Sequence, residues 1–294
     1  EGVLPSKGIR PDVGGLEVSM ASSAMVGLKG GVEYLLDYPY ECLEQTTSRM
    51  VPLVLMDDLM RAYQLKPGDE VKPLVGKLIA RLEQLQRWSG GFSYWASTHH
   101  THPWASAYAA WGLSRARKAG HGVSERALKR SRSYLKSQLR GKLPKDESAL
   151  ALALNTRAYL AYVLVELGEK VDGDLSTLYD RRDQLAYFGK ALLLSAMVKA
   201  EGDAKMIAGL SEELLNQVHQ TAKVAKVEEN LGDGYAPLFH SSLRSTAMVL
   251  EALLLSRPDH PVVDKLVTYI VQQRKDGHWR NTQETVYALL GLHT

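Results

Sequence analysis

The stretch QRWSGGF (Gln86–Phe92) returns near the other end of the chain as QRKDGHW (Gln273–Trp279), and this repeat decides the fold. Both copies share the pattern Gln-x-x-x-Gly-x-aromatic, and each joins an amphipathic helix pattern to one that is rich in Ala and Leu. Glycine lets the chain reverse with a positive φ, while the aromatic ring fills the junction between helix layers. A third, degenerate copy has Gly234 and Tyr235 at its turn. Repeated helical hairpins must either stack as an open array or close on themselves.

Helical periodicity covers almost all of the chain after residue 40. Apolar residues recur at three- and four-residue spacing, and Gly, Pro and Asp stand between these segments, where helices stop. We predict an all-α fold, an α/α toroid of about ten to twelve helices in inner and outer pairs, because glycine–aromatic turns at the ends of helix pairs are typical of toroids. An open helical solenoid is the alternative.

The first thirty residues differ from the rest. GLEVSMASSAMVGL (15–28) alternates like a β-strand and is followed by Gly30 and Gly31, which we interpret as a break in the chain. We therefore predict that residues 1–30 are a strand-containing lead-in that belongs to a neighbouring β domain, and that residues 31–294 form the toroid.

Composition indicates an ordinary globular protein. The chain is 45% hydrophobic and 23% charged, with a formal net charge of +3. The longest apolar segment, ALALALNTRAYLAYVLVEL (149–167), is interrupted by polar residues and favours a buried helix over a membrane span. We expect no direct insertion of these residues into a membrane.

The single cysteine, Cys42, stands three positions before Gln45 in YPYECLEQTTSRM (38–50). Side chains at i and i+3 share one side of a helical turn, and the amides at a helix N-terminus lower the pKa of a thiol there. Attack of the Cys42 sulfur on the Gln45 carboxamide, with loss of ammonia, would close an internal thioester. Alternatively, Cys42 is a small buried hydrophobe beside a glutamine that faces water.

The string YPYECLEQTTS (38–48) closely resembles the thioester segment of the bacterial alpha-2-macroglobulins, large protease-trapping proteins of the cell envelope. Eukaryotic and complement relatives carry a related Cys-x-Glu-Gln, which Cys42–Gln45 match. The tail NTQETVYALLGL (281–292) is also similar to that domain. The resemblance covers about residues 35–294 and implies an α/α toroid thioester domain, so we expect the chain to be part of a longer protein.

This resemblance implies a covalent protease trap and not an enzyme. The Cys42–Gln45 thioester would capture an attacking protease through a lysine amine, giving endopeptidase inhibition and host defence in a single-use reaction. The implied partners are target proteases and the other domains of the same macroglobulin, and the implied location is the periplasm or cell envelope. We expect no cofactor, no metal and no nucleic acid partner.

The resemblance also implies roles for the neighbours of the cysteine. Glu44 would orient the turn, while Tyr38, and with it Tyr40, would form an aromatic shield that keeps water from the thioester. The family usually has glycine directly before the cysteine, where this chain has Glu41. An anionic neighbour should disfavour the thiolate during ring closure.

Two further groups of residues are candidates for other chemistry. STHHTHPW (97–104) carries His99, His100 and His102, which fit a solvated loop better than a metal site because no further ligand follows at helical spacing. Residues 115–142 hold ten Lys or Arg against one Glu, which we interpret as the solvated face of an outer helix and not as a nucleic-acid site.

The histidines also bear on how the acyl group is transferred. In complement relatives, a histidine from a later helix turn attacks the thioester first. The corresponding stretch here, residues 137–159, contains no histidine, nor does any position between His121 and His219. The three histidines of residues 97–104 fall one repeat too early, so we expect direct attack by amines.

Two alternative functions stay open. The Gln-x-x-x-Gly-x-Trp turn also occurs in triterpene cyclases, and protein prenyltransferases share the toroid, but the chain has no acidic Asp-x-Asp-Asp initiator and only one cysteine. The second alternative is an interaction scaffold that has lost its thioester, for which Glu41 is the main argument.

Overall fold

A computed structural model describes residues 28–55 and 68–293 of the chain, and these residues are almost entirely helical. The α-helices are α1 (Leu28–Leu36), α2 (Leu43–Leu55), α3 (Gly68–Leu85), α4 (Pro103–Lys118), α5 (Glu125–Leu139), α6 (Glu147–Glu166), α7 (Asp172–Asp180), α8 (Tyr187–Lys199), α9 (Ala204–Asn216), α10 (Ser242–Ser256), α11 (Val262–Gln272) and α12 (Thr282–His293). Strands β1 (His219–Gln220) and β2 (Ala225–Lys226) form an antiparallel hairpin in which His219 pairs with Lys226. Two 3₁₀ helices span Arg182–Gln184 and Asp233–Leu238.

The even-numbered helices form a closed inner ring. Helix α2 packs on α4, followed in order by α6, α8, α10 and α12, and α12 packs back on α2. Each odd-numbered helix lies outside, against the inner helices that precede and follow it in the ring. The predicted α/α toroid is therefore confirmed, with six inner and six outer helices among the described residues, and the open solenoid is wrong.

Sequence pattern decides which helix lies inside. Helix α8 is apolar on all sides, and every residue from Phe188 to Met197 is buried, including Lys190. Helix α11 is amphipathic and buries only Val262, Val263, Leu266 and Ile270. A helix that is apolar all round needs partners on every side, whereas a single apolar stripe needs only one layer beneath it.

Helix α6 is long and apolar enough to cross a membrane by length and composition alone, and it is the one described helix that passes this test. In the structure it is an inner helix between α4 and α8, and the run from Ala158 to Leu164 is buried there. Its apolar composition is accounted for by the toroid core.

The glycine–aromatic turns connect outer helices to inner ones, as the repeat predicts. Gly90 and Gly277 both have positive φ, +93° and +84°, and the following aromatics Phe92 and Trp279 are buried. The repeated glutamine has a role in the first copy, where Gln86 Nε2 donates to the carbonyl oxygens of Gly90 (3.1 Å) and Ala127 (2.9 Å). The bond to Ala127 ties the turn to α5.

In the third copy of the repeat, the positive φ is at Gly232 (+70°) and not at the predicted Gly234, which lies inside the second 3₁₀ helix. The connection from α9 to α10 is also longer, because it carries the β1–β2 hairpin. The third turn therefore keeps the place of the repeat between an outer and an inner helix but not its geometry.

Gly30 and Gly31 are part of helix α1, so the predicted break at these glycines is wrong. A Cβ on Gly30 would lie 2.8 Å from the Gly277 carbonyl oxygen, and one on Gly31 would lie 3.1 Å from the Trp279 ring. The two glycines therefore permit close packing of α1 on the last turn of the repeat. Residues 1–27 of the predicted lead-in lie outside the described residues, and the boundary between the two predicted domains stays a prediction.

We expect Gly90→Ala to destabilise the toroid more than a matched pair of glycine substitutions. Positive φ alone costs an alanine about 1–3 kcal/mol, and a Cβ at Gly90 would also meet the Arg130 carbonyl oxygen at 2.2 Å. Gly120 has a positive φ, but a Cβ there would meet no atom within 4 Å. Gly122 has no positive φ, and a Cβ there would also meet no atom within 4 Å. Denaturant unfolding should rank the losses Gly90 > Gly120 > Gly122. Equal losses at Gly90 and Gly120 would contradict the role of close packing.

Candidate functional site

Cys42 is the residue immediately before helix α2 and is buried with a free thiol. Its carbonyl oxygen accepts the first helical bond, from the N–H of Thr46 at 2.9 Å. The next amide, that of Leu43, donates to the Tyr94 carbonyl oxygen at 3.0 Å. The start of α2 is therefore fixed on one side by the helix itself and on the other by the loop between α3 and α4.

Cys42 and Gln45 bind each other's backbone across the first turn. The Gln45 Oε1 atom accepts from the Cys42 N–H at 3.2 Å, and the backbone N–H of Gln45 interacts with the Cys42 sulfur. This resembles a capping box with Cys in place of Ser or Thr: the Gln45 side chain satisfies the Cys42 amide, and the Gln45 amide faces the sulfur. The capping pair holds the thiol and the carboxamide side by side.

The predicted lowering of the thiol pKa is wrong. Burial raises the pKa of Cys42, and the charge of Glu44 raises it further. The backbone amides of Gln45 and Glu44 act in the opposite direction, as expected at a helix N-terminus, but they do not outweigh the loss of water. The sequence argument included the amides but had no measure of burial.

Glu41, the departure from the family pattern, lies mostly in solvent and faces basic groups. Its carboxylate is 3.9 Å from Arg49 on α2, and its carbonyl oxygen accepts from Arg81 on α3 at 3.5 Å. The carboxylate that contributes to the raised pKa of Cys42 is that of Glu44 and not that of Glu41. The electrostatic argument against ring closure at this position is therefore weaker than the sequence indicates.

Glu44 is buried, and its carboxylate is held by donors from two helices. On α2, the Ser48 hydroxyl donates to Oε1 at 2.6 Å. On α12, the Thr282 hydroxyl donates at 2.9 Å and the Gln283 side-chain amide donates at 2.8 Å. The Ser48 oxygen is in turn 3.0 Å from the Tyr108 hydroxyl on α4. This set of donors is here called the Glu44 network. It joins the first and last inner helices, α2 and α12, close to Cys42, and its hydrogen bonds fix the orientation of the Glu44 carboxylate.

Aromatic rings form a row in front of α2. Tyr38 and Tyr40, the predicted shield residues, are in edge contact, with ring centroids 5.9 Å apart. Tyr38 also contacts the edge of Tyr34 at 5.5 Å, and Tyr34 stacks on His278 at 4.0 Å. Tyr38 is half-buried in this row, whereas Tyr40 is 63% exposed. Of the two predicted shield residues, Tyr38 is therefore better placed than Tyr40 to keep water from the site.

Tyr94 lies at the start of α2, where its carbonyl oxygen accepts from Leu43 and its ring interacts with Cys42. Its ring is in edge contact with His102, with centroids 4.9 Å apart, and its pKa is raised to about 12 by burial and, to a smaller extent, by Cys42 and Glu44. His102 is the residue immediately before α4, the ring neighbour of α2. The Tyr94 ring therefore links His102 to the loop whose backbone binds the start of α2.

His99 and His100 are exposed, and only His102 is partly buried. The rings of His100 and His102 are in edge contact, with centroids 4.6 Å apart. Within residues 28–55 and 68–293, no three His, Cys, Asp or Glu side chains come together as a metal site would require.

The basic stretch 115–142 includes the end of α4 and all of α5, and carboxylates from neighbouring segments offset part of its charge. Lys136 bonds Glu169 at 2.5 Å, and Arg140 bonds Asp174 on α7 at 2.8 Å. These ion pairs fit the interpretation of the stretch as an outer-helix surface.

The sequence pattern did not reveal several residues of the site. Ser48, Tyr108 and the adjacent pair Thr282–Gln283 come from three separate parts of the chain, and nothing in their local pattern indicates a shared carboxylate. Cys-x-x-Gln, by contrast, has the spacing of the capping box Ser/Thr-x-x-Glu/Gln, so the pairing of backbone and side chains was available from sequence.

Comparison with known proteins gives a consistent result. The family profile described as the A-macroglobulin TED domain matches residues 15–172, more than half of the chain. The alpha-2-macroglobulin of Escherichia coli K12 is 28% identical over 272 residues, and that of Xylella fastidiosa Temecula1 is 29% identical over 208 residues. These alignments cover 90% and 68% of this chain but only 16% and 13% of the two relatives, so the chain spans a small part of their length.

Solved structures agree with the profile. The crystal structure of native alpha-2-macroglobulin from E. coli, from domain MG7 to the C-terminus, has a TM-score of 0.76 at 25% identity, covering 90% of this chain and 41% of that one. A Salmonella alpha-2-macroglobulin that was reacted with methylamine also has a TM-score of 0.76 at 25% identity, covering 91% of this chain and 17% of that one.

We expect Thr282→Val to destabilise the toroid because it removes one donor from the Glu44 network. Leaving a buried charged acceptor short of a partner costs about 1–3 kcal/mol. Thr177→Val is the matched control, since the Thr177 hydroxyl bonds only its own helix on an exposed face. Equilibrium unfolding in denaturant should show a loss for Thr282→Val and almost none for Thr177→Val. Equal effects would mean that the hydroxyl contributes nothing to ring closure.

Proposed function

The chain belongs to the family of A-macroglobulin TED domains, and from that premise we propose that Cys42 and Gln45 form an internal thioester that captures proteases covalently. The observation that carries the proposal is the capping pair, which holds the thiol and the carboxamide across one helical turn. Attack of the sulfur on the carboxamide carbon expels ammonia and leaves a thioester at position 45. Such proximity supplies much of the barrier reduction that an intramolecular acyl transfer needs.

The thioester is a stored acylating group. A lysine amine attacks the Gln45 carbonyl carbon, the carbon–sulfur bond breaks, and the amine remains attached through an amide. Only about one lysine in a few thousand is uncharged at neutral pH, given a pKa of about 10.4. Capture therefore depends on a protease that is already held close, where its lysines have a high effective concentration. The reaction consumes the site, so the protein acts as a single-use inhibitor.

Storage of the thioester requires cover against water. The aromatic row with Tyr38 supplies part of it, and the remaining cover would come from other domains of the full-length protein. The most exposed large apolar side chains among the described residues support this assignment: Tyr40, Trp88 and Trp95 all lie in loops that lead from outer to inner helices, at the end of the toroid where Cys42 lies. Since the bacterial alpha-2-macroglobulins that the chain resembles are proteins of the cell envelope, its place would be the periplasm or cell envelope.

Intact-mass measurement tests the proposal. The measured mass of gently prepared protein should be lower than the mass calculated from its sequence by one ammonia. Methylamine should then add its full mass at Gln45 and release the Cys42 thiol. A protein that has the mass calculated from its sequence and does not react with methylamine would instead be a scaffold without the thioester. If the thioester has already hydrolysed, peptide mass should show Glu in place of Gln at position 45, which is the product of that hydrolysis.

We expect Cys42→Ala to abolish covalent coupling while leaving the toroid folded. The substitution removes one sulfur atom at a helix start, so the loss of stability should stay below about 2 kcal/mol. Circular dichroism and a denaturant titration check the fold, and a gel-shift assay with an activating protease checks the coupling. Unfolding of the variant would show that Cys42 acts mainly in packing.

We expect amines to be strongly preferred over hydroxyls as acceptors, because residues 137–159, which correspond to the histidine-bearing turn of the complement relatives, contain no histidine. Equal concentrations of glycerol and an amine of similar size should give predominantly the amide at Gln45, measured by peptide mass after digestion. Predominant ester formation would contradict direct attack by the amine.

A further inference from the structure

An open cleft lies where the inner helices α4 and α6 end, beside the first turns of the outer helix α5. Its volume is about 630 Å³, and Leu128 and Val165 give it apolar walls. The charged side chains that line it are three basic and two acidic ones: Arg117, Lys118, Arg132, Glu125 and Glu166. None of these residues belongs to the thioester site, which lies where α2 begins.

Glu166 does not make the cleft acidic, because cations surround its carboxylate. Arg115 bonds it at 2.8 Å and Lys199 at 2.6 Å, and Lys118 lies 3.5 Å away. Lys118 also donates to the Glu166 carbonyl oxygen at 2.9 Å. Three cations thus meet one buried carboxylate, and its negative charge is neutralised within the protein.

Glu125 shows how the cleft holds an anion. Its Oε2 atom bonds Arg117 at the end of α4, and its Oε1 atom bonds Arg132 on α5 at 3.0 Å. One carboxylate therefore bridges two guanidinium groups that come from different helices. The Glu125 side chain is 54% exposed, so these ion pairs contribute little and the carboxylate is free to turn into solvent.

The two arginines suit a phosphate better than this carboxylate. Arg132 Nε is buried without a hydrogen-bond partner among the described residues, and Glu169 lies 3.7 Å from it. Guanidinium groups bind phosphate through paired N–H donors, and a phosphate group brings more charge and more acceptor oxygens than a carboxylate. Glu125 is also the single acidic residue of the basic stretch 115–142, so a ligand that displaces it meets a region of net positive charge.

We propose that this cleft binds a phosphate-bearing ligand. The phosphate takes the place of the Glu125 carboxylate between Arg117 and Arg132, and Leu128 and Val165 contact any apolar part of the molecule. The same chemistry fits a soluble phosphate and the phosphate of a lipid headgroup, and neither requires insertion of the chain into a membrane. This binding does not depend on the thioester.

Calorimetric titration of the full-length protein with inorganic phosphate, at constant chloride concentration, tests the site. Arg117→Gln and Arg132→Gln should each weaken binding about tenfold or more, because each removes charged donors. Glu125→Gln should strengthen binding severalfold, because it removes the competing carboxylate. Circular dichroism checks that each variant is folded, and Arg117, which is about half-exposed, gives a variant that leaves the core untouched.

Arg140→Gln and Asp174→Asn are the matched controls. They make the same changes of charge in an ion pair of 2.8 Å that also involves α5 but lies outside the cleft. Both variants should bind phosphate as the wild type does.

Vesicles identify the source of the phosphate. Co-sedimentation with phosphatidylglycerol vesicles that requires Arg117 and Arg132, and that inorganic phosphate reverses, would assign the cleft to a lipid headgroup. Phosphate binding without such co-sedimentation would assign it to a soluble ligand.

Two results would overturn the proposal. One is the absence of phosphate binding in both the wild type and Glu125→Gln. The other is an equal loss of binding in Arg132→Gln and Arg140→Gln, which would show diffuse attraction to the basic stretch and not a site. Because none of these measurements involves Cys42 or Gln45, either result would leave the thioester proposal as it is.

Discussion

The carboxylate of Glu44 is the point where the ring closes and where the reactive turn is fixed. It accepts hydrogen bonds from Thr282 and Gln283, which are 238 and 239 residues away in the chain. Bringing such distant segments together carries a loop-closure cost that grows only slowly with length, and a buried charge with several donors offsets it. The same residue lies between Cys42 and Gln45 in sequence, so closing the toroid also sets the geometry of the first turn of α2.

Burial has two opposed effects at this turn. It keeps water from the bond that Cys42 and Gln45 are proposed to form, and it raises the pKa of the thiol that must leave when the bond is used. The amides of the capping pair compensate only in part. A domain of this kind therefore needs a cover that is removed on activation. In this chain the aromatic row with Tyr38 precedes the helix start, and the backbone of Tyr94 binds it.

The fold could be predicted well from sequence, because its signals are local. Positive φ at Gly90 and Gly277 and the buried rings of Phe92 and Trp279 follow from the repeat itself. Gly30 and Gly31 were misjudged because a glycine pair indicates a break as readily as a close contact between helices. Only the tertiary structure, with Gly277 packed against Gly30, distinguishes the two.

The site could be predicted only in part. Motif spacing pointed to Cys42, Glu44 and Gln45, but two donors to Glu44, Thr282 and Gln283, come from the other end of the chain. Burial also reversed the expected pKa shift of the thiol.

The stoichiometry of thiol release tests the central claim most directly. Native full-length protein should show no reactive thiol, and one thiol should appear for each labelled methylamine that becomes attached, at the same rate and all at Gln45. A thiol that is reactive before the amine is added, or amine incorporation without release of Cys42, would contradict an internal thioester between these two residues.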